Sequence, residues 1–258
     1  MLRIALILAA TLMAAPAFAE EHSSTEPMHP HAPAGGWHHK GVFGTYDRGA
    51  LQRGMAVYKQ VCSACHSLNL VAYRNLADLG YNEAEIKSIA GEKTVTAGPD
   101  DEGKMFERPA RPSDRFAPPF ANDNAARFAN NGALPPDLSL ITKARHDGEN
   151  YVYSILMGYG QTPPAELKML PGMNFNPYFP GHQIGMPEPL ASDDLVAYSD
   201  GTKATKEQMA KDVVTFLAWA AEPHMEQRKR IGIRVMLFLL VLTGVFYAAK
   251  RQLWRDLH

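Results

Sequence analysis

The sequence predicts a mainly α-helical chain with long irregular loops, ending in one transmembrane helix. Three observations lead there. Apolar residues recur at helical spacing in several segments, and no stretch alternates apolar with polar residues in the way a half-buried strand needs. Proline and glycine number 19 and 20 in 258 residues, enough to interrupt helices and strands alike. The run Ile231 to Ala249 is apolar over nineteen residues. As a helix rising 1.5 Å per residue it reaches about 28 Å, close to the roughly 30 Å hydrocarbon core of a bilayer.

Residues 1–19 read as a secretory signal peptide: Arg3 near the start, an apolar run from Ile4 to Ala15, and Ala17-Phe18-Ala19 before Glu20. The apolar core is short for a membrane span; a retained anchor is the alternative. Losing this segment removes Arg3 and no acid, so 26 basic side chains become 25 against 27 acidic ones, a balance of −2. That charge excludes the strongly basic footprint of a nucleic-acid binder. Residues 20–40 hold His22, His29, His31, His38 and His39 among Pro27, Pro30 and Pro33. The composition indicates a flexible, solvated arm, with a metal site as the alternative.

Residues 41–226 are expected to form one exported domain. Thr45 or Asp47 can cap a helix to about Gln60, with Leu51, Met55 and Tyr58 on one side. Asn124 to Asn131 suggests a short helix, and His146 to Gly158 another, with Tyr151, Ile155 and Leu156 at helical spacing. The segment Arg108 to Pro119 reads as irregular. Thr205 to Gln208 has capping-box spacing and opens an amphipathic helix through Val213, Val214, Leu217 and Trp219. Pro223 fits the first turn of the helix that becomes the anchor.

Residues 227–250 are the expected anchor and 251–258 its tail. A buried soluble helix would need a polar face after residue 235, and none appears; Arg234 can snorkel to the headgroups. Arg228, Lys229 and Arg230 precede the span and Lys250, Arg251 and Arg255 follow it, so the positive-inside rule is balanced. The signal peptide then sets the orientation: domain exported, tail cytoplasmic, with Trp254 as an interfacial anchor.

The chain has two cysteines, both in Cys62-Ser63-Ala64-Cys65-His66. C-x-x-C-H is a c-type haem attachment pattern. Each thiol can add to one haem vinyl group, and His66 then lies close under the iron. Zinc would want four ligands and finds no second Cys pair. A redox dithiol should follow a strand, whereas a helix precedes Cys62. Covalent haem attachment in bacteria takes place outside the cytoplasmic membrane, so export and motif agree.

What fills the iron's sixth position separates an electron carrier from a gas or peroxide site. A Met sulfur closes the iron to substrates and favours Fe(II). Setting aside the methionines of the signal, the arm and the anchor, Met55 on the helix before Cys62 and Met209 on the amphipathic helix leaves Met105, Met157, Met169, Met173 and Met186. Met186 is favoured, because Gly185 lets backbone approach a ring plane and Pro187 and Pro189 stiffen the loop.

Beyond the haem motif, the order of several blocks is specific. Val71-Ala72-Tyr73-Arg74 is followed by Asn130 to Ser139 (NNGALPPDLS), then Lys143-Ala144-Arg145-His146. Asn176-Pro177-Tyr178-Phe179-Pro180-Gly181 precedes Ile184-Gly185-Met186, and Trp219-Ala220-Ala221-Glu222-Pro223 leads into the anchor. Over roughly residues 37 to 255 the sequence resembles the cytochrome c1 family, the membrane-anchored haem subunit of the cytochrome bc1 complex. The resemblance implies a c-type cytochrome domain with one covalent haem c on Cys62 and Cys65. It implies His66 and Met186 as axial ligands, and Arg145 and Tyr151 on the propionate side. Asn131 and Pro136 would line the pocket. A buried carboxylate is costly unless paired, and Arg offers a two-pronged donor; read without the family, Arg145 is a surface charge.

The resemblance further implies a one-electron carrier that is no enzyme on its own. Its partners would be cytochrome b, the Rieske iron–sulfur protein, a soluble or membrane-tethered cytochrome c, and membrane lipid, within a dimeric complex. It would sit in the bacterial cytoplasmic membrane as a single-pass protein with its haem domain in the periplasm. Asp100, Asp101 and Glu102 could steer a basic cytochrome c, or form a solvated loop. The His-rich arm departs from the family pattern, as does the lack of the extra disulfide of some bacterial members.

Overall fold

The computed structural model describes residues 26–255. The expected signal peptide, the first residues of the arm and the last three residues of the tail lie outside them.

The helix α1 (Arg48–Gln60) starts where Asp47 accepts hydrogen bonds from the N–H groups of Gly49 and Ala50, at 2.9 and 3.3 Å. A 3₁₀ stretch, Tyr73–Leu79, leads to α2 (Glu83–Gly91). That helix carries a full capping box: Asn82 accepts from Glu85 N–H at 3.0 Å and Glu85 accepts from Asn82 N–H at 2.8 Å. The sequence reading missed both elements. A two-stranded antiparallel hairpin follows, β1 (Thr94–Ala97) with β2 (Phe106–Pro109), Thr94 opposite Pro109. The segment expected to be irregular thus begins in a strand, and Arg108 and Asp114 then pair across the next turn.

Two helices fall within two residues of the expected spans, α3 (Asp123–Ala129) and α4 (Gly148–Met157), the second with the expected helical spacing. A minimal antiparallel pair, β3 (Asn174–Phe175) with β4 (Gln183–Ile184), brackets the loop before Gly185. In α5 (Lys206–Ala221) the cap Thr205 accepts from Gln208 N–H at 3.1 Å. Pro223 lies outside the last helix α6 (Met225–Leu253): Glu222 caps the end of α5 and His224 caps the start of α6. Three residues thus separate the two helices, and the proline marks the break rather than the first turn.

The core is built on α1 crossing α5. Leu51, Met55 and Tyr58 share one buried cluster with Val213, Phe216 and Leu217 and with Leu68, Leu76 and Leu79, and the Tyr58 and Phe216 rings lie 5.8 Å apart. The crossing is close because Gly54 has no side chain: a Cβ there would lie 2.1 Å from the Asp212 carbonyl oxygen. Asp212, 1% exposed, is held by Arg53 through bonds of 2.8 and 3.1 Å. α4 packs on α5. Beyond Met225, α6 leaves the domain with its apolar side chains exposed; it is long and apolar enough to cross a membrane.

Over residues 26–40 most side chains are exposed, as the composition suggests for a solvated arm, but the arm is tied to the domain at a few points. Trp37 is 9% and His39 3% exposed. Each finds a polar partner on α4: Trp37 Nε1 donates to Asn150 at 2.7 Å, and His39 Nε2 meets Glu149 at 3.1 Å. His31 N–H donates to Ser154 Oγ at 2.9 Å, and its ring lies against Tyr153 and Tyr178. Two buried aromatic rings, each with one ring nitrogen hydrogen-bonded to α4, thus pin an arm whose other side chains are mostly exposed.

Candidate functional site

α1 ends at Gln60, and the chain tightens into one 3₁₀ turn, Cys62–Ala64. The carbonyl of Cys62 accepts from the N–H groups of both Cys65 and His66, at 3.1 and 2.9 Å. Ser63 Oγ donates back to the Lys59 carbonyl at 2.7 Å, and Tyr58 donates its hydroxyl to the His66 carbonyl at 3.1 Å. The turn therefore presents Cys62, Cys65 and His66 together on the wall of one cavity of about 400 Å³.

The His66 ring is oriented from behind. Its Nδ1 lies 2.8 Å from the Pro136 carbonyl. A carbonyl only accepts, so Nδ1 carries the proton and the Nε2 lone pair is left for a ligand, the usual arrangement of a metal-bound histidine. Burial lowers the affinity of His66 for a second proton, partly offset by the Pro136 bond and by Asp137. The ring is thereby kept neutral, as a ligand must be.

Pro136 is itself held in place. Asp137 Oδ2 accepts from Ser67 Oγ and from Asn69 N–H, each at 2.8 Å, and Oδ1 accepts from Ser139 N–H at 2.8 Å. Burial alone would raise this carboxyl, but these donors outweigh it and hold the group below its ordinary value. One carboxylate thus ties the Pro135-Pro136 loop to the exit of the Cys–His turn.

The remaining walls are mostly apolar. α4 contributes Tyr151, Val152, Ile155 and Leu156, and α5 contributes Val213 and Leu217. Met186 enters from the loop after β4. Its carbonyl accepts from Tyr159 Oη at 3.0 Å and Asn174 Nδ2 at 3.2 Å. Gly185 lies against the Ala133 loop, where a Cβ would stand 3.2 Å from that of Ala133. Arg145 borders the cavity beside Tyr151. Burial holds the Tyr151 phenol above its ordinary value, and the Arg145 guanidinium partly offsets it.

Seven of the eight residues named from sequence line this cavity: Cys62, Cys65, His66, Pro136, Arg145, Tyr151 and Met186. Asn131 does not; it is exposed at φ 52° and makes a turn with Gly132, while its neighbour Asn130 lines the cavity. Sequence reasoning missed the supports Asp137, Tyr159 and Asn174. Asp137, two residues before Ser139, carries an Asx-turn signal; the other two carry no local signal.

The donor set matches a haem better than a bare ion or a dithiol site. Among the described residues no group of three or more His, Cys, Asp or Glu is placed to hold a metal. One imidazole and one thioether suffice only if a macrocycle supplies the other ligands. Redox dithiols rely on a depressed thiol pKa, whereas burial, with Cys65 adding to it, pushes the Cys62 thiol up to about 12. Two thiols on an apolar cavity, with an arginine at its border, suit a porphyrin joined by thioethers, its carboxylates turned to the polar rim.

Residues 37–257 match the Cytochrome C1 family. The chain is 52% identical over 235 residues to cytochrome c1 of Rhodospirillum rubrum, covering 85% of this chain and 86% of that one. It is 50% identical over 236 residues to a mitochondrial cytochrome c1 heme protein of Arabidopsis thaliana, covering 91% and 74%. It is 47% identical over 247 residues to cytochrome b/c1 of Bradyrhizobium diazoefficiens, covering 88% of this chain and 36% of that longer protein. The chain belongs to the cytochrome c1 family, whose members carry a covalently bound c-type haem.

Proposed function

We propose that this haem-carrying subunit of a cytochrome bc1 complex takes electrons singly from the Rieske iron–sulfur protein and passes them to a cytochrome c, soluble or membrane-tethered. Cys62 and Cys65 are the attachment points, and His66 and Met186 are the axial ligands. The bound haem supplies a centre that gains and loses one electron. The chain's own residues position it, exclude other ligands and tune it. Pro136 fixes the imidazole tautomer, Tyr159 and Asn174 fix the Met186 backbone, and the apolar faces of α4 and α5 keep water away. Arg145 and Tyr151 stand where propionates would need partners.

The observation that carries this reading is that His66, with its Nδ1 proton committed to Pro136, shares one cavity with both cysteines and with Met186, 120 residues further along the chain. On this reading the chain is an electron-transfer subunit and no enzyme by itself, and no side chain is asked to act as nucleophile or general base. Its domain faces the periplasm, its single anchor crosses the bacterial cytoplasmic membrane, and its last residues are cytoplasmic. Cytochrome b and a dimeric assembly are its setting.

Met186→Leu in the full chain, purified with its complex, tests the ligation. The midpoint potential should fall, because a soft thioether that favours Fe(II) is gone, and the reduced protein should bind carbon monoxide. An unchanged potential removes Met186 from the ligand set.

A further inference from the structure

A second, smaller cavity of about 250 Å³ lies at the start of α6, between its first turns and the turn formed by residues 41–44. We infer that it is a binding site for the headgroup of an anionic phospholipid, and that Val42 and Phe43 beside it dip into the membrane surface as a second point of attachment. Phe43 is 85% and Val42 64% exposed, on a domain whose other aromatic side chains are mostly covered. The turn that presents them is tightly built. Gly41 has φ 75°, and at Gly44 a Cβ would stand 2.0 Å from the Lys40 carbonyl oxygen.

The turn is fixed to the anchor. Lys229 Nζ donates to the carbonyls of His39 and Gly44, at 2.6 and 2.9 Å. Glu226, Lys229, Arg230 and Ile233 follow one another at helical spacing and all face the cavity. The one acid among them is already neutralised: Glu226 accepts from Tyr46 N–H at 2.7 Å and from Arg48 at 2.9 Å. The Arg230 guanidinium makes no ion pair among the described residues. Three residues further, about 4.5 Å down the axis, Ile233 begins the apolar part of the wall.

This ordering along the helix, cation and then aliphatic wall with an exposed aromatic at its side, follows the layering of a bilayer from phosphate to acyl chain. A lipid is favoured over a protein partner because the site sits where a membrane-crossing helix enters the bilayer. Its free charge is also positive. With α6 as one attachment and Phe43 as another, the domain is held at one tilt above the membrane.

The test uses the full chain in its native membrane complex, with p-benzoylphenylalanine replacing Phe43. On irradiation the expected product is an adduct between this chain and phospholipid, with absorbance of the covalent haem retained. Anionic phospholipid should be enriched in that adduct about fivefold over its share of the membrane, the effect of one basic residue at the surface. Adding Arg230→Gln should return the ratio to that of the bulk membrane while the lipid adduct persists. An adduct to another polypeptide, no adduct, or an enrichment indifferent to Arg230→Gln overturns the inference. None of these outcomes bears on the haem ligands, so the electron-transfer reading stands or falls separately.

Discussion

The Tyr159 hydroxyl donates across 3.0 Å to the main-chain carbonyl of Met186, 27 residues further along the chain. Asn174 donates to the same oxygen at 3.2 Å. Neither bond touches the sulfur. They fix the backbone from which the sulfur projects, as the Pro136 carbonyl fixes the ring of His66 from behind. Each proposed axial ligand is thus held by a group outside the cavity's own chemistry, which is how a metal site keeps its geometry. Burial pushes the Tyr159 phenol up, so it remains a neutral donor over the physiological range.

Tyr159→Phe should therefore cost about 1 kcal/mol of stability, the net worth of one hydrogen bond, read by denaturant titration of the haem-loaded protein. Asn174 still holds the loop in that variant. Tyr159→Phe with Asn174→Ala leaves the Met186 carbonyl without either donor, and the reduced double variant should bind carbon monoxide where each single variant does so weakly. If the double variant excludes carbon monoxide as well as the parent does, these two residues do not position Met186.

Asp137→Asn removes the charge that gathers Ser67, Asn69 and Ser139. An amide keeps one acceptor oxygen, so part of the set survives, and a loss of about 1–3 kcal/mol is expected. Because Asp137 adjoins Pro136, the loss should reach His66: the visible spectrum of the reduced protein should shift while the haem stays covalently attached. Full stability with an unaltered spectrum would mean that the loop is held by its prolines alone.

Gly54→Ala probes the crossing that carries the domain. The added methyl would stand 2.1 Å from the Asp212 carbonyl oxygen and 2.7 Å from Phe216 Cβ, so α1 and α5 must separate. Overpacking of this kind costs about 1–3 kcal/mol or more, and here it also strains the Arg53–Asp212 pair. Gly91→Ala is the control, for a Cβ there meets nothing within 4 Å. That change should be neutral or stabilise α2 by about 0.5 kcal/mol. Equal melting temperatures for the two variants would show that the helices are not in close contact at Gly54.

The parts of this molecule written in local patterns were legible in the sequence. Asp47, Thr205 and the apolar spacing of α1, α4 and α5 give caps and faces that need only neighbouring residues. The Cys62 to His66 motif works the same way, because one turn brings its three functional groups together. The Asn82–Glu85 capping box is equally local, but the apolar face it opens is short, Ile86 and Ala90. The arm's points of attachment were not legible: nothing near Trp37 or His39 in sequence announces Asn150 and Glu149, more than a hundred residues away. Tyr159 and Asn174 were invisible for the same reason, since their meaning lies in a carbonyl that only the folded chain brings to them. Asn131 was mistaken by one position: an Asn-Gly pair marks a turn, and the turn takes Asn131 away from the cavity that Asn130 lines.

Acid should weaken the turn after β2 within a defined range. The Arg108 guanidinium holds Asp114 through bonds of 2.6 and 3.0 Å, and Arg111 N–H adds a third at 2.7 Å. Chiefly through Arg108, the Asp114 carboxyl is lowered from 3.8 to about 2. A group whose pKa is lower in the folded state stabilises it fully above the unfolded value, and loses that contribution as pH falls through the folded one. The Asp114 contribution is therefore present above about pH 4 and fades between about 4 and 2. Asp200, lowered to about 2 by its bond from Thr202 N–H and by Arg53, fades over the same range, so the wild type alone cannot assign the change. Asp114→Asn separates them: the difference in stability between wild type and variant should be constant above pH 5 and shrink as pH drops from 4 to 2. Amide exchange in the β1–β2 hairpin is the local readout, with Val95 and Glu107 as reporters. A difference that stays constant down to pH 2 would show that Asp114 is not held by Arg108 in solution.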